Sequence, residues 1–320
     1  MTKVTISFHN IINRFMEQRY NSFGSYLKQL FGKVVYKVNI DAGFTCPNRD
    51  GTLGTGGCIY CNNDSFRPSS CKPDLTITEQ IRNGINYVSA RYGAKNFLVY
   101  FQPYTNTYAN VSELEKMYKE ALAHPFVVGL AIGTRPDCID KDKLELLENL
   151  AKDRFILVEY GLQSIYDKTL DFIKRGHNYQ TFLDALSMTL NRGIHIGVHI
   201  IVGFPNETTE DMLHMADVIS RLPLGFIKVH QLQIVKNTLL AQRYLENSFY
   251  TFSYEEYLDF IIDFIELLSP KIVIQRLFAT APDEILIAPL WKRSRQQITN
   301  DILKTLKDRN SYQGKRFIGD

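Results

Sequence analysis

Lys33-Val-Val-Tyr-Lys-Val-Asn-Ile-Asp-Ala-Gly-Phe-Thr-Cys-Pro-Asn-Arg-Asp-Gly-Thr-Leu-Gly-Thr-Gly-Gly-Cys-Ile-Tyr-Cys61 is the stretch from which the rest of the chain can be read. Residues 33–40 are rich in β-branched and aromatic side chains and end in a turn signal, the pattern of a strand. Three of the five cysteines follow at that strand's carboxyl end, spaced C-x11-C-x2-C. Gly51, Gly54, Gly56 and Gly57 lie in the first gap. A phosphate-binding loop would need a Gly-Lys-Ser/Thr ending, which is missing. The glycines instead let the backbone bend tightly around whatever the thiolates hold.

Outward from this stretch the chain keeps one rhythm. Hydrophobic periodicity predicts helices over 74–92, 110–123, 140–151, 179–191 and 207–222. Between them, apolar β-branched runs predict strands over 96–101, 127–132, 155–160, 194–202 and 226–235. Each unit takes roughly thirty residues, the size of a βα repeat. Such alternation means a parallel sheet covered by helices, and six strands are too few for a closed eight-stranded barrel. The expected fold is α/β, a partial (β/α)6 TIM-like barrel with N- and C-terminal helical extensions. One or two helices are expected within 8–31. A helix over 254–268, a short strand over 271–278 and a polar helix over 291–309 are expected at the other end. The expected divisions are 1–32, 33–240 and 241–320.

Active sites of parallel α/β folds lie at the carboxyl ends of the strands. Five polar loops follow five of these strands. They are the cysteine loop, Gln102-Pro-Tyr-Thr-Asn-Thr107, Gly133-Thr-Arg-Pro-Asp137, Gly161-Leu-Gln-Ser164 and Gly203-Phe-Pro-Asn-Glu207. All five are expected to meet at one rim.

The 320 residues are 45% hydrophobic and 22% charged, ordinary for an enzyme with a large core. No apolar run of about 18 residues predicts a membrane span, and residues 1–9 lack an apolar signal core. A cytoplasmic protein is expected, and five cysteines there point to metal or redox chemistry rather than disulfides. The net charge is only +3, but basic residues gather at the ends. Lys3, Arg14, Arg19, Lys28, Lys33 and Lys37 come early; Lys292, Arg293, Arg295, Lys304, Lys307, Arg309, Lys315 and Arg316 come late. These would suit a polyanionic partner, or be solvated helix faces.

Thiolates select iron–sulfur clusters, zinc or copper(I). With Cys71 as a fourth ligand, the cysteines could form a structural zinc site. With three cysteines, a 4Fe–4S cluster would keep one iron free to bind another molecule, and the position after the first strand favours this reading. His195 and His199 fall on a strand, where a metal pair is not expected. Glu159 is either a catalyst or a buried partner for Arg135. Arg175 either serves the site or finishes a helix. Cys71 and Cys138 are either ordinary thiols or hydrogen donors. Aromatics across 15–36 are expected in the core rather than on a base-stacking platform.

Three cysteines after the first strand, with Tyr60 directly before the third, resemble the radical S-adenosylmethionine (SAM) superfamily. The usual spacing there is C-x3-C-x2-C, so the long first gap is a departure. Thr134-Arg-Pro-Asp137, Glu159-Tyr-Gly-Leu-Gln-Ser164, Arg175-Gly-His177 and His199-Ile-Ile-Val-Gly-Phe-Pro205 are similar to one branch of it. That branch contains the elongator catalytic subunit and oxygen-independent coproporphyrinogen oxidase. Residues 37–51 and 100–107 resemble, more narrowly, the YtqA/YhcC-type subfamily.

The resemblance implies a 4Fe–4S cluster held by Cys46, Cys58 and Cys61, whose fourth iron chelates S-adenosyl-L-methionine. One electron, from a donor such as flavodoxin or ferredoxin, would release a 5′-deoxyadenosyl radical that takes hydrogen from substrate. Tyr60 would lie along the adenine. Gln102, Tyr104 and Thr105 stand in place of the family's Gly-Gly-Glu element, which contacts the methionine amino group. Gln163 and Arg175 match residues near the ribose and carboxylate, and an arginine clamp on a carboxylate is physically apt. His199 and Val202 would lie near ribose and adenine. Gly133 stands where relatives often carry a ribose-binding glutamate.

The subfamily resemblance also implies action on tRNA, converting carboxymethylaminomethyluridine at the wobble position to aminomethyluridine. Hydrogen removal from the glycine-like carbon, loss of a further electron and hydrolysis of the imine would free the aminomethyl group. The basic ends would meet tRNA phosphates, and the base would leave its stack. The rivals are radical chemistry on a small molecule, and a non-catalytic iron–sulfur or zinc protein that senses redox state or binds RNA.

Overall fold

Residues 19–65 and 74–319 are described by the structure, a computed structural model. Helix starts follow capping chemistry. Thr76, Thr208, Ser253 and Ser294 each open a helix with a complete capping box, satisfying amides that the helix leaves orphaned. The described helices are α1 (Phe23–Phe31), α2 (Ile77–Tyr92), α3 (Val111–Leu122), α4 (Lys141–Ala151), α5 (Asp167–Phe172), α6 (Tyr179–Thr189), α7 (Thr209–Ser220), α8 (Leu239–Glu246), α9 (Tyr254–Leu267) and α10 (Arg295–Asp308). Among the described residues no helix is long and apolar enough to cross a membrane. The part of the expected N-terminal helices before residue 19 lies outside the described residues.

The strands are β1 (Tyr36–Ile40), β2 (Phe97–Phe101), β3 (Val127–Thr134), β4 (Phe155–Gln163), β5 (His195–Val202), β6 (Phe226–Gln231), β7 (Ile234–Val235), β8 (Val273–Arg276) and β9 (Leu286–Ala288). Seven of them form one parallel, curled sheet in the order β1-β2-β3-β4-β5-β6-β8. The partial barrel therefore stands, with one more strand than the six expected. The extra strand, β8, is the short run foreseen beyond residue 240, and it completes the sheet edge. A four-residue strand has too little pattern to announce its partner. The run 226–235 is two strands rather than one. After β6 the chain leaves the sheet, and β7 pairs antiparallel with β9. Helices α5 and α8 went unforeseen because six and eight residues carry little helical period.

Strand side chains alternate between the helices outside and the barrel interior. Outward residues such as Val38, Val99, Ile132, Val158, Val198 and Val229 join the main core under the helices. The interior is layered. At its amino end Leu98, Phe155, Phe226 and Val273 form an apolar floor with Phe23 of α1. Phe23 and Tyr26 meet Phe226 edge-on at 5.7 and 5.1 Å, so these aromatics plug the barrel, as core rather than platform. His195 belongs to this floor, stacked on Phe155 at 4.3 Å.

Above the floor lies a charged layer. Lys228 Nζ donates to Glu159 Oε2 at 2.5 Å and to Tyr100 Oη at 2.8 Å. Tyr100 Oη donates to Glu159 Oε2 at 2.8 Å, and Lys37 Nζ lies 3.7 Å from Glu159 Oε1. The partner expected for Glu159, Arg135, is engaged instead by Asp137 at 2.7 Å.

The strand that delivers the cysteine loop is fixed by a close approach. A Cβ on Gly84 of α2 would sit 2.5 Å from Val38 Cγ1 of β1. Valine is stiff at χ1, so Gly84→Ala is expected to cost about 1–3 kcal/mol by overpacking. Denaturant unfolding checks this, and a variant as stable as the wild type would refute the close fit.

Candidate active site

The long gap between Cys46 and Cys58 folds back on itself. Cys46 O accepts from Arg49 N at 2.8 Å, Pro47 O from Leu53 N at 2.7 Å, and Asn48 O from Gly57 N at 2.7 Å. The last bond brings the chain back beside Cys46, so eleven intervening residues still yield one site. Gly57 has φ +74°, and a Cβ there would meet Arg49 Nε at 3.0 Å. Without a side chain at 57, the Arg49 guanidinium passes over the loop to donate to Cys61 O at 2.7 Å. The Asn48 amide anchors the loop to the turn after α5, donating to Lys174 O and Arg175 O, both at 2.9 Å.

All three cysteines line one cavity of about 220 Å3 at the carboxyl ends of the strands. Tyr60, Gln102, Tyr104, Thr105, Gln163, Arg175 and His199 line it with them. Val202 does not. Strand alternation turns His199 inward and therefore Val202 outward, where it is fully buried under the helices. The loop 203–207 does not reach the cavity either. It backs the rim, with Phe204 against Tyr60 at 6.1 Å and Glu207 accepting from Ser164 Oγ at 2.5 Å. Cys138 is buried away from the cavity, and Cys71 lies outside the described residues.

The thiols sit among cations and amide donors. Arg175 Nη1 lies 3.5 Å and Asn48 Nδ2 3.4 Å from Cys58 Sγ, and Arg135 Nη1 lies 3.9 Å from Cys46 Sγ. Burial alone would push the Cys58 thiol up, but Arg175, Arg135 and Asn48 together hold it below its ordinary value. The Cys61 thiol is pushed up by burial and by Cys58. Arg175 is itself locked by Gly161 O, which accepts from its Nη2 at 2.5 Å and Nε at 3.2 Å. Arg175 therefore lines this cavity, held in place, rather than merely ending α5.

Gln163 ends β4 at φ +78°, and its Oε1 is buried without a partner. Asn106 Oδ1, also on the cavity wall, is likewise buried without one. A left-handed backbone at a non-glycine residue and orphaned acceptors are both unfavourable. Together they suit a wall that completes its hydrogen bonds on a bound polar molecule.

Deeper in the wall His199 Nε2 and His230 Nδ1 lie 2.9 Å apart. Burial first, and Lys228 second, push His199 down to about 3. The unfolded chain, with an ordinary value near 6.5, thus binds more protons between those limits. Stability must fall as pH drops from 6.5, by up to about 1.4 kcal/mol per unit for this group. Metal-free wild type unfolded between pH 6.5 and 4.5 should lose stability more steeply than His199→Asn by that amount. Parallel slopes would sink the assignment.

Comparison with known proteins gives the family. The model of the radical SAM superfamily matches residues 48–219, more than half of the chain, and that of the Radical_SAM C-terminal domain matches 224–308. The chain belongs to the radical SAM superfamily. YtqA of Bacillus subtilis is 32% identical over 94% of both chains. YhcC of Escherichia coli is 35% identical over 88% of this chain and 90% of that one. The tRNA uridine(34) acetyltransferase of Methanocaldococcus jannaschii is 27% identical over 51% of this chain and 30% of its own length. Among solved structures, the Elp3 of Methanocaldococcus infernus superposes with a TM-score of 0.67 at 16% identity, covering 87% of this chain and 64% of that one. It shares the fold.

A radical SAM protein uses a 4Fe–4S cluster and SAM, and together these supply one-electron cleavage of the sulfonium to give a radical that takes hydrogen from substrate. The residues fit both groups. Three thiols line one cavity, with Arg175 beside Cys58 and Arg135 beside Cys46 as cations facing the sulfurs that would ligate the cluster. Orphaned acceptors and a locked guanidinium on the same wall fit a charged, polar nucleoside. Sequence reasoning missed Asn48 and Arg49 as braces of the loop, and Lys37, Lys228, His230 and Arg276 as interior cations and rings. A usable signal was there: Lys37, Glu159 and Lys228 are charged residues inside otherwise apolar strands.

Proposed function

We propose that Cys46, Cys58 and Cys61 ligate the cluster and that SAM lies against Tyr60, Gln102, Tyr104, Thr105, Gln163, Arg175 and His199. Val202 leaves this set. The observation that carries the assignment is the convergence of all three thiols with Arg175 and the unsatisfied Gln163 on one cavity. Arg175 fits a carboxylate of SAM as a positioning cation, already aimed by Gly161. A low-potential donor such as flavodoxin or ferredoxin would supply the electron.

The substrate we propose is tRNA, at the wobble uridine, with carboxymethylaminomethyl converted to aminomethyl. Likeness to a protein named for tRNA uridine(34) chemistry supports this, as do the unpaired C-terminal cations. Arg309 and Arg316 pair with Asp263, and Lys315 and Arg316 with Glu266. Lys304 and Lys307 of α10 remain without carboxylate partners among the described residues. Two measurements test the reading in turn. Anaerobically reconstituted protein with dithionite and SAM should release 5′-deoxyadenosine. Wobble nucleosides of tRNA from a deletion strain should then accumulate the carboxymethylaminomethyl form by mass spectrometry. Unchanged wobble uridines would exclude tRNA and return the small-molecule reading.

A further inference from the structure

Where the cavity wall passes from β6 to β8, charge is not balanced. Arg276, the last residue of β8, lines the cavity, and its Nη1 meets His230 Nε2 at 3.4 Å. Arg295, the first residue of α10, donates from Nε to Thr280 Oγ1 at 2.7 Å. Thr280, which Arg295 grips, lines the same cavity as Arg276, and burial first and the charge of Arg276 second hold Arg295 below its ordinary value. Among the described residues neither has a carboxylate partner. Elsewhere the chain does pair such groups, as Arg135 with Asp137 and Arg192 with Glu148.

The charged layer beneath adds to the excess. The sheet register sets Lys228 beside Arg276, and Lys228 and Lys37 share only Glu159. Lys37, Lys228, Arg276 and Arg295 are four cations against one carboxylate, a formal excess of three. An arginine at a helix amino end also opposes the helix dipole, so its placement there works against α10 while raising the local positive potential. The mount is rigid. Gln231 accepts from Ala279 N at 2.8 Å and donates to Ala279 O at 2.9 Å, which fixes the loop carrying Thr280 and so holds Arg295.

We propose that Arg276 and Arg295 form an anion subsite that takes a carboxylate or phosphate of the substrate at the edge of the cavity. Two unpaired forks can each grip such a group bidentately. This rests on the reading above only in taking the cavity as the place where substrate enters. On a tRNA substrate the anion is either the carboxylate of the wobble side chain or an adjacent phosphate.

Two probes separate these sources without any RNA. Sarcosine, which carries the methylaminoacetate group, and inorganic phosphate are titrated separately into reconstituted, SAM-loaded enzyme at constant ionic strength. Thermal stability is the readout. A saturable rise in Tm is expected in the wild type. The dissociation constant should increase at least about tenfold in Arg276→Gln and in Arg295→Gln, with partial recovery in the arginine-to-lysine variants. Tighter binding of sarcosine assigns the subsite to a carboxylate, and tighter binding of phosphate to the nucleic-acid backbone. Arg295 lies on an exposed helix end, so its variant keeps the test open should Arg276→Gln misfold. No saturable shift with either anion, or unchanged constants in both glutamine variants, overturns the subsite. Unchanged wobble nucleosides, by contrast, would overturn only the tRNA substrate.

Discussion

Cys58→Ala protein, reconstituted anaerobically with iron and sulfide, is expected to lose the visible absorption of the cluster and at least about a hundredfold of its 5′-deoxyadenosine formation. Cys58 is 5% exposed, and its sulfur is the one that both Arg175 and Asn48 approach. Removing groups that merely orient a ligand typically costs 10–100-fold in metal affinity or activity, so removing a ligand takes the upper end of that range as its floor. Alanine would also leave the Arg175 guanidinium, 6% exposed, without the thiolate it faces. Cys138→Ala is the control. That thiol is pushed up to about 12 by burial and by Asp137, and its side chain lies off the cavity, so iron content should match the wild type. A Cys58→Ala protein that still cleaved SAM at the wild-type rate would refute the ligand assignment. Equal iron loss in both variants would show that the assay reads misfolding rather than ligation.

The parts of this site that could be read from the chain are those tied to strand ends. Cys46 follows β1, Gln163 ends β4 and His199 lies in the carboxyl half of β5, strands whose apolar runs are unmistakable, and parallel topology gathers such positions at one rim. Period-2 alternation decides the finer question. Applied strictly to β5, it separates His199 from Val202, which a motif comparison alone joins. The pairs were less legible. Arg135 finds its carboxylate two residues on, at Asp137, whereas Glu159 finds Lys228 sixty-nine positions away. Only the curl of the sheet brings β4 and β6 side chains together, and no local pattern encodes a curl. The basic C-terminus shows the same limit. Arg309, Lys315 and Arg316 face α9, where Asp263 and Glu266 neutralise them, and the cations left over are known only once those helices pack.

Glu159→Gln is expected to destabilise the fold by about 3–5 kcal/mol, because it leaves buried cations without their counter-charge. The side chains of Glu159 and Lys228 are 3% and 5% exposed, so solvent cannot replace the lost attraction. The amide keeps the shape and one acceptor for Lys228, which confines the loss to charge. Glu159→Gln combined with Lys228→Met should recover much of the stability, since it removes a cation along with the anion. The pH dependence gives an independent check. Burial pushes Lys37 down to about 7, against the attraction of Glu159 that holds it up. The unfolded chain, with an ordinary value of 10.5, therefore holds more protons between pH 7 and 10.5. Stability contributed by this group rises with pH through that window, by up to about 1.4 kcal/mol per unit, and is lost below it. Without Glu159 the lysines release their protons at still lower pH, so the rise begins earlier. The deficit of Glu159→Gln should then be larger at pH 6 than at pH 9 in denaturant unfolding of the metal-free protein. A deficit that is the same at both values would mean that Glu159 acts through packing and hydrogen-bond geometry, and that the cations above the barrel floor do not depend on its charge.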